Sequence, residues 1–383
     1  MNVTSNGHAK NTALTVVDNA EFLNSESDND SKVKPKRERK PAQNPYIEVK
    51  MTIDAGSEST KIAINGEFFS YPTTAREVKE ALSSNILGCF SVGTKNYVVG
   101  YAAETVAGDL IEGFKSGNKV KSLPIWILGA LTNHPSLLDK ANEDRKHKKQ
   151  SVRIKLYINI LTLSQAKKAE IDKMLLGIKT FKYNESEFEL EIKPRNGKLL
   201  YPEGYGSAVA AQSKTGDSKI YVLDLGGGTL TLSTFAAGIE PKAMSQSAAS
   251  GSGFKALVEY IAEKIIQADV GGVRYRLDSL SQALRTAKEI IYYRHDAVNV
   301  DITETAKAGF DDWVRYSPGV SKLLTQASQL IIQGQKVHAT GGGFASPIVA
   351  IWLKRYVTNG LDESLFDVLD NPATVNVTGI ESE

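Results

Sequence analysis

The sequence predicts an α/β protein built from two similar halves that share an anion-binding cleft. Three stretches carry that expectation. In Val222–Leu232 an apolar strand ends on Asp224, turns through Gly226, Gly227 and Gly228, and resumes with alternating Thr and Leu. Ile53–Ile64 echoes it: a strand, Asp54, Gly56, small residues and a second strand. Val337–Ala345 again runs from a strand into three glycines. Glycine turns let backbone N–H groups approach an anion without a Cβ in the way. An acid at the strand end is placed to hold a divalent cation bridging that anion. Any one of these turns alone fits an ordinary hairpin. The first two lie too far apart for a solenoid repeat and read instead as two half-molecules, each with one phosphate loop.

Composition bounds the function. At 383 residues the chain has room for two domains, and 41% hydrophobic with 23% charged residues is ordinary for a globular protein. A net charge of +2 gives no global argument for nucleic acid, so any such contact is local. Cys89 is the single cysteine, which excludes disulfides within the chain and suits a reducing cytoplasm. The apolar runs Pro124–Leu131 and Ala345–Leu353 are too short to span a bilayer. The N-terminus lacks the order of charge then apolar run expected of a secretion signal.

Residues 1–45 read as a disordered tail, acidic first (Asp18, Glu21, Glu26, Asp28, Asp30) and then basic over Lys32–Lys40. The basic run has the charge to touch DNA, an anionic membrane or an acidic partner, and equally that of a solvated linker. The folded body is expected as domain I over 46–201 and domain II over 202–383. Ile47, Val49, Met51 and Ile53 alternate with polar residues, the mark of a half-buried strand. Phe90–Gly100 reads as a hairpin with a Gly-Thr-Lys-Asn turn. Asp144–Lys149 reads as a solvated basic loop, Val152–Leu161 as a strand, and Ser164–Leu176 as a helix capped by Ser164. In Leu200–Ala210, Pro202 and Gly204 flank Glu203 near the domain junction. That position suits a cleft residue and also an exposed loop acid. Phe254, Leu257, Val258, Ile261 and Ile265 have helical spacing and form a core face. Ala283–Ile291 reads as a second helix; Ser317-Pro318 opens a third that ends at Gly334.

Taken in order, these motifs resemble the five of the superfamily that joins actin, the heat-shock chaperone ATPases and the sugar kinases. The resemblance runs from about Tyr46 to the end. Asp54–Lys61 resembles the phosphate-1 loop, Pro202-Glu203-Gly204 the first connecting motif and Asp224–Thr231 the phosphate-2 loop. Ala339–Phe344 resembles the adenosine motif and Val375–Gly379 the second connecting motif. Lys288-Glu289 resembles the charged pair on the helix beside the adenosine. Within the superfamily the closest likeness is to ParM-like (ParM/StbA) actins, through Phe69–Pro72, Val92–Gly100 with Ala102-Ala103, and the Pro-Glu-Gly linker. No substrate-binding segment follows, which disfavours a chaperone. With four residues after Gly379, the final helix packing back on the first domain is expected to be missing or very short. No Walker A lysine motif is present, which sets aside a P-loop NTPase.

The resemblance implies duplicated ribonuclease H-like (actin-like) domains flanking a nucleotide cleft that holds ATP, or GTP, with Mg²⁺. It implies hydrolysis by water, with Glu203 positioning the water and Asp54 and Asp224 holding the metal. Gly56, Ser57, Gly226, Gly227, Gly228 and Thr229 are expected around the phosphates, with Lys61 as a compact positive charge. Arg285, Lys288, Glu289, Gly341, Gly342, Gly343 and Phe344 are expected around the nucleoside. It also implies self-assembly into filaments. The first expectation for cargo is plasmid DNA, segregated through a small DNA-binding adaptor protein. A cytoskeletal filament, with the tail meeting a membrane or regulatory partner, is the second, and a small-molecule kinase the third.

Overall fold

Two sheets carry the fold, and each opens with a hairpin that the glycine motifs foretell. The computed structural model describes residues 43–80, 86–111, 121–162, 165–268, 275–295 and 298–382. The tail up to residue 42, and the expected cap Ser164, lie outside the described residues.

The first sheet has eleven strands: β1 (Tyr46–Ala55), β2 (Ser59–Ile64), β3 (Glu67–Pro72), β4 (Ala75–Val78), β5 (Cys89–Val92), β6 (Lys95–Val99), β7 (Asp109–Leu110), β8 (Val152–Thr162), β9 (Thr180–Tyr183), β10 (Ser186–Pro194) and β11 (Leu200–Pro202). Their order is β3-β2-β1-β8-β10-β9-β5-β6-β4-β7, with β11 also on β8. After β12 (Lys219–Leu225), β13 (Thr229–Ala236) and β14 (Lys242–Ser250) comes a small hairpin, β15 (Tyr292–His295) and β16 (Val298–Asp301). With β17 (Val337–Thr340) and β18 (Phe366–Val368) the second sheet runs β14-β13-β12-β17-β18.

The repeat seen in the sequence is a repeat of topology. In each sheet an antiparallel meander (β3-β2-β1, β14-β13-β12) continues into parallel strands (β8 on β1, β17 on β12). Asp54 ends its strand opposite Lys61, and Asp224 ends its strand opposite Thr231. Parallel pairs need crossovers, and helices supply them.

The helices are α1 (Tyr101–Thr105), α2 (Leu123–Thr132), α3 (Pro135–Glu143), α4 (Lys168–Gly177), α5 (Tyr205–Gln212), α6 (Phe254–Gln267), α7 (Leu277–Thr286), α8 (Thr303–Tyr316), α9 (Val320–Ile332), α10 (Pro347–Thr358) and α11 (Val375–Glu381). The face Phe254, Leu257, Val258, Ile261, Ile265 of α6 is buried as its spacing requires. Two helices differ from expectation. α7 stops at Thr286 because Ala287 turns extended, with ψ 135°, and its buried carbonyl accepts from the Ile348 amide. Lys288 and Glu289 therefore lie in an exposed bend, not on the helix. Ser317-Pro318 links two helices instead of capping one; Gly319, with φ 79°, takes the N-cap of α9. The second connecting motif itself forms the short last helix, α11, of seven residues.

Each sheet has its own core. Met51, Ile53, Leu156 and Ile158 pack with Trp126 and Ile127 of α2, while Leu223, Leu225 and Leu230 pack with α6, α8 and α9. A third apolar cluster joins them: Ala63 and Leu161 from the first sheet, Val222 and Phe235 from the second, and Tyr205, Ala208, Val377 and Ile380 from α5 and α11. These two helices meet backbone to backbone. A Cβ on Gly206 would lie 2.0 Å from the Asn376 carbonyl, and one on Gly379 would lie 2.1 Å from the Gly206 carbonyl.

Candidate functional site

Register fixes where the acids stand. Asp54 and Tyr201 both pair with Leu161 of β8, so Glu203, two residues past Tyr201, leaves the same sheet edge as Asp54. Two strand spacings separate β1 from β11, roughly 10 Å. In the second sheet Asp224 pairs with Thr340, and each strand runs from there into glycines. The site thus uses the C-terminal edges of parallel strands in both sheets, where open α/β sheets bind ligands.

The phosphate-2 glycines are oriented by α6. The Gly226 and Gly227 carbonyls accept from the amides of Phe254 and Lys255, satisfying first-turn donors that a helix leaves open. In a trans peptide the N–H points opposite the C=O. The amides of Gly227 and Gly228 are therefore turned away from α6. The other loop lies against the same two glycines: a Cβ on Gly227 would lie 2.5 Å from Glu58 Cβ, and one on Gly228 2.6 Å from Ser57 Oγ. Two expected donors are already engaged, since the Gly226 amide bonds the Thr229 carbonyl and the Gly56 amide bonds the Asp54 carbonyl. The phosphate-1 loop is pinned from outside by Thr73, whose hydroxyl donates to the Gly56 carbonyl and whose amide donates to the Glu58 carbonyl.

Charge is concentrated between these loops. Asp54 and Asp224 are both buried, and Lys61 Nζ lies 3.8 Å from Asp54. Arg285 Nη2 donates to Glu58 Oε1 (2.7 Å), its Nη1 donates to the Gly342 carbonyl (3.1 Å), and its guanidinium covers the Phe254 ring. It ties α7, the adenosine motif and the phosphate-1 loop together. Gly341, at φ 97°, lies so near Asp224 Oδ1 that a Cβ there would be 2.2 Å away. Gly343 is held as tightly against Leu225. Phe344 is core: it is 3% exposed and packs on Phe366, so only its backbone borders the site. Glu203 is half-buried just before Gly204, and its carbonyl accepts from Gln246.

Residues outside the expected set complete the picture. Glu58 bridges to Arg285, and Asn376 Nδ2 donates to Asp224 Oδ2 (3.1 Å). Beside Asp224 the Thr231 hydroxyl is buried with no hydrogen-bond partner among the described residues. The Thr-Leu alternation put Thr231 on the Asp224 side; nothing local singled out Glu58. Among the described residues no group of three or more His, Cys, Asp and Glu is disposed to hold a metal. The donor set fits Mg²⁺ nonetheless, since that ion is usually bound by one or two carboxylates with waters and phosphate oxygens. The orphan Thr231 hydroxyl suits a water or oxygen of such a shell. No described helix is long and apolar enough to cross a membrane.

No family model matches the sequence, and no curated protein does. Solved structures do match. A ParM from a 15-stranded Clostridium botulinum filament superposes with TM-score 0.60 at 16% identity, covering 87% of this chain and 97% of its own. The archaeal actin homolog Ta0583 gives TM-score 0.59 at 14% identity, with 87% and 98% covered. Bacillus thuringiensis ParM with ATP gives 0.57 at 13% identity, with 87% and 98% covered. The fold is actin-like, similar to that of ParM proteins.

Proposed function

We propose that this actin-like chain binds ATP with Mg²⁺ between its two lobes, 46–201 and 202–383, hydrolyses it, and assembles into filaments in the cytoplasm. The observation that carries the reading is that the Gly227 and Gly228 amides turn away from α6 while the phosphate-1 loop lies against the same two glycines, with a buried carboxylate before each loop. Phosphoryl transfer depends chiefly on positioning and charge stabilisation, and this frame offers both. Gly227 and Gly228 would donate to phosphate oxygens; Lys61 would add positive charge; Asp54 and Asp224 would hold the metal through its waters. Bound Mg²⁺ would neutralise phosphate charge. Glu203 would accept a hydrogen bond from the attacking water and fix its approach. Arg285 and the backbone of Gly341–Phe344 would border the nucleoside. GTP fits the same phosphate frame.

The similar structures include a ParM filament and a ParM with ATP, which favours a filament over a small-molecule kinase. For cargo we favour DNA, reached through a small DNA-binding adaptor. A cytoskeletal filament anchored through the charged tail is the second reading. Sedimentation of the purified protein with and without Mg²⁺-ATP tests the proposal. Wild type should pellet only with nucleotide, and Asp224→Ala should stay folded and soluble. Pelleting of well-folded Asp224→Ala at the wild-type level would refute the site.

A further inference from the structure

Asp224 is held by a side chain that also locks the crossing of α5 and α11. Asn376, the second residue of α11, is 5% exposed. Its Oδ1 accepts from the Ser207 amide (3.2 Å) and the Ser207 hydroxyl (2.7 Å), both on α5. A backbone amide can only donate, so the orientation of the Asn376 amide group is fixed. Nδ2 must then face Asp224, where it donates to Oδ2. Ser207 Oγ also stands 3.0 Å from the Thr340 hydroxyl, on the strand beside Asp224, and Thr340 donates to the Pro372 carbonyl. At its far end α11 is tied to the first sheet, where Glu381 accepts from Thr52 and pairs with Arg195. One short helix therefore touches the acid of one lobe and the sheet of the other.

We infer that Asn376 is a positioning residue for Asp224: it sets the rotation of the carboxylate that would hold Mg²⁺ and couples it to the α5–α11 crossing. The inference rests on the nucleotide reading above. Partners that orient the groups around a metal are typically worth about 10- to 100-fold in metal affinity or activity. Asn376 needs no contact with nucleotide or metal to have that effect.

The test measures binding, not turnover: the Mg²⁺ midpoint for affinity of a fluorescent ATP analogue, alongside the melting temperature. Asn376→Ala should raise the Mg²⁺ midpoint about 10- to 100-fold and leave Mg²⁺-free nucleotide binding near wild type. Ser207→Ala, which keeps the backbone donor and loosens Asn376, should shift it the same way by less, and serves where Asn376→Ala does not fold. The exchange Asp224→Asn with Asn376→Asp keeps one amide, one carboxylate and both Ser207 bonds. It should melt close to wild type without regaining the Mg²⁺ response, because the carboxylate has left β12. A lowered melting temperature with an unchanged Mg²⁺ midpoint in both single variants would make Asn376 a helix contact only and overturn the inference. Recovery of the Mg²⁺ response by the exchange would overturn it too. If wild type shows no Mg²⁺-dependent nucleotide affinity at all, the nucleotide reading falls and takes this inference with it.

Discussion

At the scale of single residues, the acids separate by what surrounds them. Asp54 and Asp224 end buried strands, whereas Glu203 leaves a sheet edge through a turn whose next residue, Gly204, has φ 84°. Removing Glu203 should therefore spare nucleotide binding and reach hydrolysis. Positioning of this kind is worth about 10²–10⁴-fold in rate, or roughly 3–5 kcal/mol of barrier. Glu203→Ala should bind ATP and assemble, then release phosphate slowly and leave filaments that outlast the wild type. Phosphate release and light scattering after limiting ATP read both at once, and a wild-type rate would make Glu203 a loop residue. Glu58 makes the opposite prediction. Its carboxylate lies against Gly227 on the side where phosphates would sit, and its pair with Arg285 is partly exposed. Such a pair is worth about 0–1 kcal/mol to the fold. Glu58→Gln should keep the melting temperature and tighten ATP binding a few-fold, an effect that added salt shrinks. Weaker binding would instead make Glu58 a ligand-supporting residue.

At the scale of elements, much was legible where a local pattern decides the outcome. Strand-to-glycine turns and the apolar face of α6 follow from nearest-neighbour chemistry, and the structure has them; the alternation of β1 holds only up to Met51, beyond which both faces are buried to Ala55. What local pattern could not supply was competition from afar. α7 stops at Thr286 as the buried carbonyl of Ala287 is taken by α10, and Phe344 is drawn into the core by Phe366. The same limit hid Asn376, whose partners are 152 and 169 residues away. The glycines at the α5–α11 crossing fall between these cases: Gly379 closes the second connecting motif and Gly206 follows the first, but only packing shows why no side chain fits. Gly206→Ala would push a methyl into the Asn376 backbone, which cannot swing aside as a side chain does. Overpacking of this kind costs about 1–3 kcal/mol. A lowered melting temperature is expected, with Gly216→Ala, in open space, as the unaffected control. Equal melting of the two variants would show that the crossing is loose.

At the scale of the whole molecule, the question is where the folded body begins. The charged tail was expected to end at residue 45, but Asn44 is buried. Its Nδ2 donates to the carbonyls of His147 and Ser151 (both 3.1 Å), and its Oδ1 accepts from the His147 amide (2.8 Å). Its own carbonyl accepts from Arg153 (3.3 Å). Asn44 thus closes the basic loop Asp144–Lys149 onto β8, so that loop is tied down at one end despite its charge. These partners lie more than a hundred residues away in sequence, so no local signal in the composition marks Asn44. Two truncations separate tail from body. Removing residues 1–42 should leave the melting temperature and phosphate release at wild-type values, and change only filament bundling or contact with a partner. Removing residues 1–45 strips Asn44 from buried carbonyls, and an unsatisfied buried group costs about 1–3 kcal/mol. That variant should melt measurably lower while still binding nucleotide, because Asp54 lies at the far end of β1 from Asn44. If both truncations melt alike, Asn44 contributes nothing and the body begins at Tyr46. If the shorter one already fails to fold, residues before 43 belong to the core, and a tail that merely docks partners is the wrong description of them.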